Sequence, residues 1–297
     1  MNPTVSIIIP AFNSASFLPE TLASVSAQTL ADWECIVVDD GSADDTEKVV
    51  KEWMATDRRF FYIYQTNKGL SGARNSGLAH ARGRFVQFLD ADDVLLPRKL
   101  EKQVSGLLGA EQQGLAVSIT DYSVGRSRNI HEPSEYYVSS AFYSDNYLEE
   151  LITRWEASLS IPPHCFLFSS DLFLEKGLRF DTALRNHEDF ECWLNVFRLG
   201  PSVFYLSEKL CIYRMTDGSM SKNMKAMGEG FLQVLNKHIA SDLYSKAETR
   251  ILRRKRRAIL GSYRRFDLMS WKDRLLSINV LRKYYARRIL QKLRMAD

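Results

Sequence analysis

Residues 85–93 read Phe85-Val86-Gln87-Phe88-Leu89-Asp90-Ala91-Asp92-Asp93, a mostly apolar run followed at once by a cluster of carboxylates. The run has the length and composition of a buried strand. Carboxylates crowded at a strand's end are costly unless a cation neutralises them. The carboxyl edge of an open α/β sheet is also where such folds bind ligands. Together these features predict a strand-end site for a divalent cation shared with a phosphorylated ligand.

Outward from this stretch, apolar runs alternate with helical patterns. Strands are expected at 5–9, 34–38, 60–64 and 85–89, with helices at 16–28, 44–54 and 70–81 between them. The rhythm predicts an α/β fold with a largely parallel, doubly wound sheet. Asp44 with Glu47 reads as a capping box. Asp93 and Pro97 lead into a helix through about residue 108. Further strands are expected at 116–119, 165–168, 202–206 and 209–213, and helices at 148–155 and 189–199. The polar stretch 121–144 reads as loops with at most a short edge strand. From about Met224 the chain reads as helical to its end.

The 297 residues, 45% hydrophobic, suffice for a large core. No apolar run approaches the roughly 20 residues that span a bilayer. The first strand, without a basic n-region and cut short by Pro10, is not a signal peptide. Cys35, Cys165, Cys192 and Cys211 lack metal-type spacing, which suits a reducing cytoplasm. Charge is uneven: residues 246–297 hold 17 Lys/Arg against 4 Asp/Glu, a net +13, while the rest of the chain is −9. That split predicts an anionic partner for the tail.

Five segments together resemble the family 2 glycosyltransferases, which have the GT-A fold. They are Val5-Ser6-Ile7-Ile8-Ile9-Pro10-Ala11-Phe12-Asn13, Val37-Val38-Asp39-Asp40-Gly41-Ser42, the glycine-rich stretch from Asn67 to Gly77, Phe88-Leu89-Asp90-Ala91-Asp92-Asp93, and His187-Glu188-Asp189. The resemblance covers about 5–221 and implies a mixed, Rossmann-like sheet flanked by helices. It divides the chain into a transferase domain at 1–222, with a nucleotide half (1–121) and an acceptor half (122–222), and a basic helical extension at 223–297.

By the same resemblance Pro10, Ala11, Phe12 and Asn13 wall the nucleotide pocket. Asp40 takes the base's ring N–H, with Asp39 near the ribose. Arg74, with Lys68 beside it, offsets nucleotide charge. Asp90-Ala91-Asp92 matches the Asp-x-Asp motif: Asp92 is the ligand of Mn²⁺ or Mg²⁺, and Asp90 touches ribose or acts through water. Asp93 is read as capping the next helix. Asp189 matches the catalytic base and Glu188 orients it or the acceptor. Arg214 and Ser219 are candidates to close over the diphosphate. His164 reads as structural.

The implied reaction is inverting transfer of one sugar from a nucleotide sugar to a glycan or lipid-linked acceptor in bacterial envelope glycan assembly. UDP is the expected carrier, with dTDP and GDP open. The Gln-x-x-Arg-Trp motif of processive synthases is absent after the acids, so one sugar is transferred per encounter. The basic tail suits an anionic membrane surface, its own domain or a second copy in a homo-oligomer, and no nucleic-acid motif accompanies it. These readings place the protein in the cytoplasm, peripheral to the membrane. The competing readings are a nucleotidylyltransferase, against which the Pro10–Asn13 turn counts, and a non-catalytic sugar-nucleotide-binding or scaffold protein.

Overall fold

The computed structural model describes residues 2–110, 114–126, 129–133, 140–216 and 223–268. The chain forms two compact units, Met1–Val234 and Leu235–Asp297.

The first unit is built on a nine-stranded sheet ordered β3-β2-β1-β4-β8-β6-β9-β5, with β7 paired to β6. Strands β1 (Val5–Ala11), β2 (Trp33–Asp39), β3 (Phe60–Tyr64) and β4 (Phe85–Phe88) run parallel to one another. Strands β1 and β2 are buried along their whole length, which is why they read as unbroken apolar runs rather than alternating ones. Helices α1 (Leu18–Ser26), α2 (Thr46–Thr56) and α3 (Gly69–His80) make the crossovers. The chain builds β1, β2 and β3 outward in one direction, then returns to place β4 on the other side of β1. The β1/β4 border is thus a topological switch point, where the carboxyl ends part and leave a crevice.

Beyond β4 the sheet is mixed. The two-residue strand β5 (Val94–Leu95), β7 (Asn129–Pro133) and β8 (Phe166–Ser169) are its antiparallel members, while β6 (Ala116–Arg126) and β9 (Ser202–Met215) run parallel to each other. Helix α4 (Lys99–Ala110) packs on β6 and β9. Helices α5 (Tyr147–Arg154), α6 (Asp171–Leu174) and α7 (Glu188–Arg198) complete the later half. An aromatic core fixes α7 against the sheet: Trp193 stacks on Phe168 at 4.9 Å, and Phe88 meets Phe180 edge-on at 5.0 Å. Helix α8 (Met224–Ala240) leads from the first unit into the second, where α9 (Lys246–Leu268) follows.

Four expectations need correction. The stretch 121–144 is not all loop: β6 runs on to Arg126 and β7 (Asn129–Pro133) pairs with it. Tyr122 and Val124 are buried there because β9 covers them, a partner some ninety residues away that no local pattern reveals. The two strands expected at 202–213 are one strand, because the polar Ser207-Glu208 break is absorbed as a register shift between Thr120 and Tyr122. Asp44 forms no capping box; it lies outside α2 and accepts from Thr46 N and Ala15 N. The C-terminal helix is interrupted after Ala240.

One close approach sets the height of α3 over the sheet. A Cβ on Gly77 would stand 2.3 Å from Ile8 Cγ2, inside van der Waals contact. Both residues are buried, so Gly77→Ala must lift α3 from β1. We expect a loss of about 1–3 kcal/mol, read as a lower urea midpoint at unchanged m-value. An unaltered midpoint would show that α3 can move freely.

Candidate active site

The carboxyl ends of β1, β2 and β4 meet at the switch-point crevice. At the end of β1, Pro10 and Ala11 are buried, and Phe12 turns outward with 53% of its surface exposed. Asn13 takes a left-handed φ of 50°. Its backbone N–H donates to Ser42 Oγ (2.9 Å), and its Oδ1 accepts from Ala43 N (2.8 Å). The β1 loop is therefore stitched to the Asp39-Asp40-Gly41-Ser42 turn, where Gly41 supplies the φ of +83° that the bend requires.

The two acids of that turn are used differently. Both oxygens of Asp39 are taken: Oδ2 accepts from Tyr62 OH (2.7 Å) and Oδ1 from Ser42 N (2.8 Å). Burial and the Asp39 hydrogen bond raise the Tyr62 pKa, so the phenol stays a donor. Asp40 uses Oδ1 alone, accepting from Gln65 Nε2 (2.6 Å) and Lys68 N (2.8 Å). Among the described residues nothing donates to its Oδ2. Lys68 enters through its backbone N–H; its side chain is exposed.

At the end of β4 the carboxylates are held from several sides. The backbone of Ala91 accepts from Thr21 Oγ1 of α1 (2.9 Å). Arg214, at the end of β9, donates through its backbone N–H to Asp93 Oδ1 (2.7 Å) and through Nε to the Asp92 carbonyl (2.6 Å). Its guanidinium also pairs with Glu20 of α1. Asp93 does not cap α4, which starts only at Lys99. It is 1% exposed, and its Oδ2 stands 2.7 Å from Nδ1 of the wholly buried His164. Burial pulls the His164 pKa down most strongly, but Asp93 and Cys211 together outweigh it and raise the pKa. The Asp92 carboxyl has no side-chain partner among the described residues. Burial first, then the charges of Asp93 and Asp90, push its pKa up to about 7.

Arg74 joins this cluster to the acids of α7. The side chain is 1% exposed, with Nη2 2.7 Å from Asp90 Oδ1 and Nη1 2.8 Å from Glu188 Oε1. One guanidinium thus spans two carboxylates that lie almost a hundred residues apart in sequence. Burial opposes its charge, but Asp90 and Glu188 more than compensate and raise its pKa. Its position is fixed by its neighbour on α3: Asn75 Nδ2 donates to Phe180 O (2.8 Å), and Phe180 N donates back to Asn75 Oδ1 (2.9 Å).

Helix α7 opens with Glu188 and Asp189 on a strained entry. His187 precedes them at φ 58°, a left-handed value unusual for a residue with a Cβ. Its ring contacts hold it there: Nε2 lies 2.8 Å from Glu156 Oε1, Nδ1 lies 2.9 Å from Asn186 Oδ1, and Phe231 stacks at 4.9 Å. Asp189 Oδ1 accepts from Phe190 N (2.6 Å), and among the described residues Oδ2 has no donor. Loss of water and then the Glu188 charge push the Asp189 pKa up to about 7.

The structure therefore gathers Asp39, Asp40, Arg74, Asp90, Asp92, Glu188, Asp189 and Arg214 around one crevice. Ser219 lies outside the described residues. Glu20, Asn75 and Phe180 were not expected; each sits in an ordinary local pattern and is identified only by its long-range partner.

Residues 6–175 match the profile of Glycosyl transferase family 2. The chain is 32% identical over 223 residues to the uncharacterized glycosyltransferase EpsJ of Bacillus subtilis, covering 75% of this chain and 64% of that protein, so it spans less than two thirds of that relative. It is 30% identical over 228 residues to the putative teichuronic acid biosynthesis glycosyltransferase TuaG of the same organism, with 74% and 82% covered. Residues 1–349 of Staphylococcus aureus TarS share the fold at TM-score 0.66 and 19% identity, over 90% of this chain and 73% of that one. The Pyrobaculum calidifontis mannosyltransferase PcManGT, solved with GDP-Man and Mn²⁺, does so at TM-score 0.61 and 17% identity, over 94% and 80%. Sheet order, strand-end acids and a family match over more than half its length agree: the chain belongs to glycosyl transferase family 2.

Proposed function

We propose that this protein moves one sugar from a nucleoside diphosphate donor to an acceptor hydroxyl, with inversion at the anomeric carbon. The observation that carries the reading is the Arg74 bridge between Asp90 and Glu188. It ties the strand-end Asp90 to the first acid of α7, which supports a single displacement with a leaving diphosphate on one side and a proton acceptor on the other. The family assignment removes the nucleotidylyltransferase reading, and an activity assay separates a transferase from a non-catalytic binder.

The nucleoside would sit against Pro10, Ala11, Phe12 and Asn13. The open Oδ2 of Asp40 suits a ring N–H, as in uracil, thymine or guanine, while Asp39 is a strut for the turn. TarS has been solved with UDP-GlcNAc and PcManGT with GDP-Man, so the fold accepts both kinds of donor. A UDP-sugar is our first choice, because TarS has been solved with both UDP and UDP-GlcNAc and an Asp40 oxygen suits the imide N–H of uracil. Lys68, with an exposed side chain just before α3, would reach the nucleotide from outside.

The residues fit a hard divalent cation, Mn²⁺ or Mg²⁺. The donor set is all oxygen, and the Asp92 carboxyl is crowded by two like charges with, among the described residues, no cationic side chain bonded to its own oxygens. Asp92 would hold the ion and Asp90 would flank it, fixed by Arg74. Such an ion supplies neutralisation of charge on the departing diphosphate. Arg214 braces the loop from behind through the Asp92 carbonyl. Glu188, tied to Arg74, positions the start of α7, and Asp189 accepts the acceptor's proton at Oδ2.

The test is sugar transfer or donor hydrolysis with a panel of UDP-, GDP- and dTDP-sugars, with and without Mn²⁺. Chelation abolishes turnover in this reading. Asp92→Asn lowers kcat/KM by a hundredfold or more and removes the Mn²⁺-dependent rise in melting temperature given by nucleoside diphosphate. A variant that keeps that thermal shift sinks the assignment of Asp92.

A further inference from the structure

In the second unit, α9 carries Arg250, Arg253, Arg254 and Arg257, all exposed. Their spacing of i, i+3, i+4 and i+7 puts them on one helix face over roughly 10 Å. None makes an ion pair with a described residue of this unit, and no acid occurs between Glu248 and Asp267. With Ile239 of α8 they line a groove of about 840 Å³. Arg256 Nε donates to Asn236 Oδ1 (2.5 Å) along the same groove. Four guanidinium groups held side by side without acids repel one another, a cost that an anionic surface would remove.

The inner face of α9 is already occupied. Leu252 and, on α8, Leu235 are fully buried, and His238 Nδ1 lies 2.5 Å from Tyr244 OH beneath the turn between the helices. The apolar side of the hairpin is therefore spent on holding the two helices together. Among residues 235–262 only Leu243, at the turn, is a large exposed hydrophobe. A helix that inserts into a bilayer needs a free apolar face; from Lys246 to Ser262 this one offers charge instead. Nor do residues 235–262 expose aromatic rings on which nucleic-acid bases could stack.

We propose that the outward face of α9 docks on the phosphate surface of an anionic membrane by charge, without insertion. The proposal is independent of the transfer chemistry. It sharpens the tail's excess charge into a stated set of residues and a stated mode: salt-sensitive, indifferent to curvature and lipid packing. Residues 269–297, rich in Lys and Arg, would add to the same attraction.

Co-sedimentation of the full chain tests this, with vesicles of neutral phosphatidylcholine alone or with about one third phosphatidylglycerol. Binding should require the anionic lipid, persist on large and small vesicles alike, and fall steeply between 0.05 and 0.5 M salt, as roughly expected from screening. Arg250→Gln, Arg253→Gln, Arg254→Gln and Arg257→Gln together should weaken binding about a thousandfold, at unchanged melting temperature. The same four positions changed to Lys should bind within a few-fold of the parent. Inorganic pyrophosphate at millimolar concentration should compete poorly, since a surface of many charges outbids a single small anion. The proposal is overturned by equal binding to neutral vesicles, by a Gln variant that binds as the parent does, by a Lys variant as weak as the Gln one, by release with micromolar pyrophosphate, or by an oligonucleotide that binds more tightly than the vesicles.

Discussion

Asp189→Asn is expected to lower kcat/KM for sugar transfer by about 10²- to 10⁴-fold, the range typical for a positioned general base, while donor binding persists. The amide keeps the shape of the side chain, and its oxygen can still accept from Phe190 N, so the turn into α7 survives. What it lacks is an oxygen that takes a proton. The Asp189 pKa is pushed up to about 7 by burial and by Glu188. As a base it works deprotonated, so kcat/KM rises with pH through about 7 and then levels. Asp92 titrates in the same range, but saturating Mn²⁺ would hold it ionised and leave the Asp189 limb alone in the profile. The stability consequence has the opposite sign. An aspartate in the unfolded chain titrates near 3.9; in the native chain Asp189 keeps its proton to about 7. Between those values the native state binds more protons, so this group's contribution to stability falls as pH rises. Above pH 7 the Asn variant should therefore be more stable than the parent, and inactive. A variant retaining more than a tenth of the parent's kcat/KM would place the base elsewhere.

Parts of this arrangement are legible in the amino-acid sequence. Strands β1, β2 and β4 are buried on both faces, so apolar runs locate them, and acids directly after such runs belong to the carboxyl edge. The order of the strands around β1 follows from crossover rules once the α/β rhythm is seen. Contacts between distant segments are not legible. Strand β9 reads as two pieces because Ser207 and Glu208 interrupt it; only the shifted register against β6 shows it as one. Lys99 looks like a surface lysine at the start of a helix. It is wholly buried, its ammonium held by Gln87 and Gln103, with burial drawing its pKa down to about 8. His187 reads as an ordinary residue before a helix, and nothing in its neighbours announces a left-handed backbone. Arg74 is visible as a charged residue in a glycine-rich stretch, where resemblance suggests nucleotide contact. That its guanidinium is shared between Asp90 and Glu188 depends on a fold that joins positions 114 residues apart in the chain.

Arg74→Met should therefore be among the most damaging single changes in the chain, costing about 3–5 kcal/mol, the usual loss when one member of a buried charge cluster is removed. The methionine fills much of the same volume, so the loss is electrostatic rather than a cavity. It leaves Asp90 and Glu188, 27% and 8% exposed at their side chains, facing each other without a cation. Their like charges then repel across a mostly buried gap with no guanidinium to offset them. Arg74 also helps hold the Asp189 pKa down, so its loss should move the pH–rate limb above 7 in whatever folded enzyme remains. Arg74→Met combined with Glu188→Gln removes one of the stranded charges and should recover part of the stability but none of the activity. Urea midpoints at about pH 7.5 decide the matter. If Arg74→Met unfolds at the parent's midpoint, the two acids are neutralised by something other than Arg74. If the double variant is no more stable than the single, the damage is steric and the bridge carries no electrostatic load. Should the stability recover as expected while transfer stays lost, the same guanidinium is shown to serve both ends of the site, holding Asp90 beside the leaving diphosphate and Glu188 at the start of the helix that presents the base.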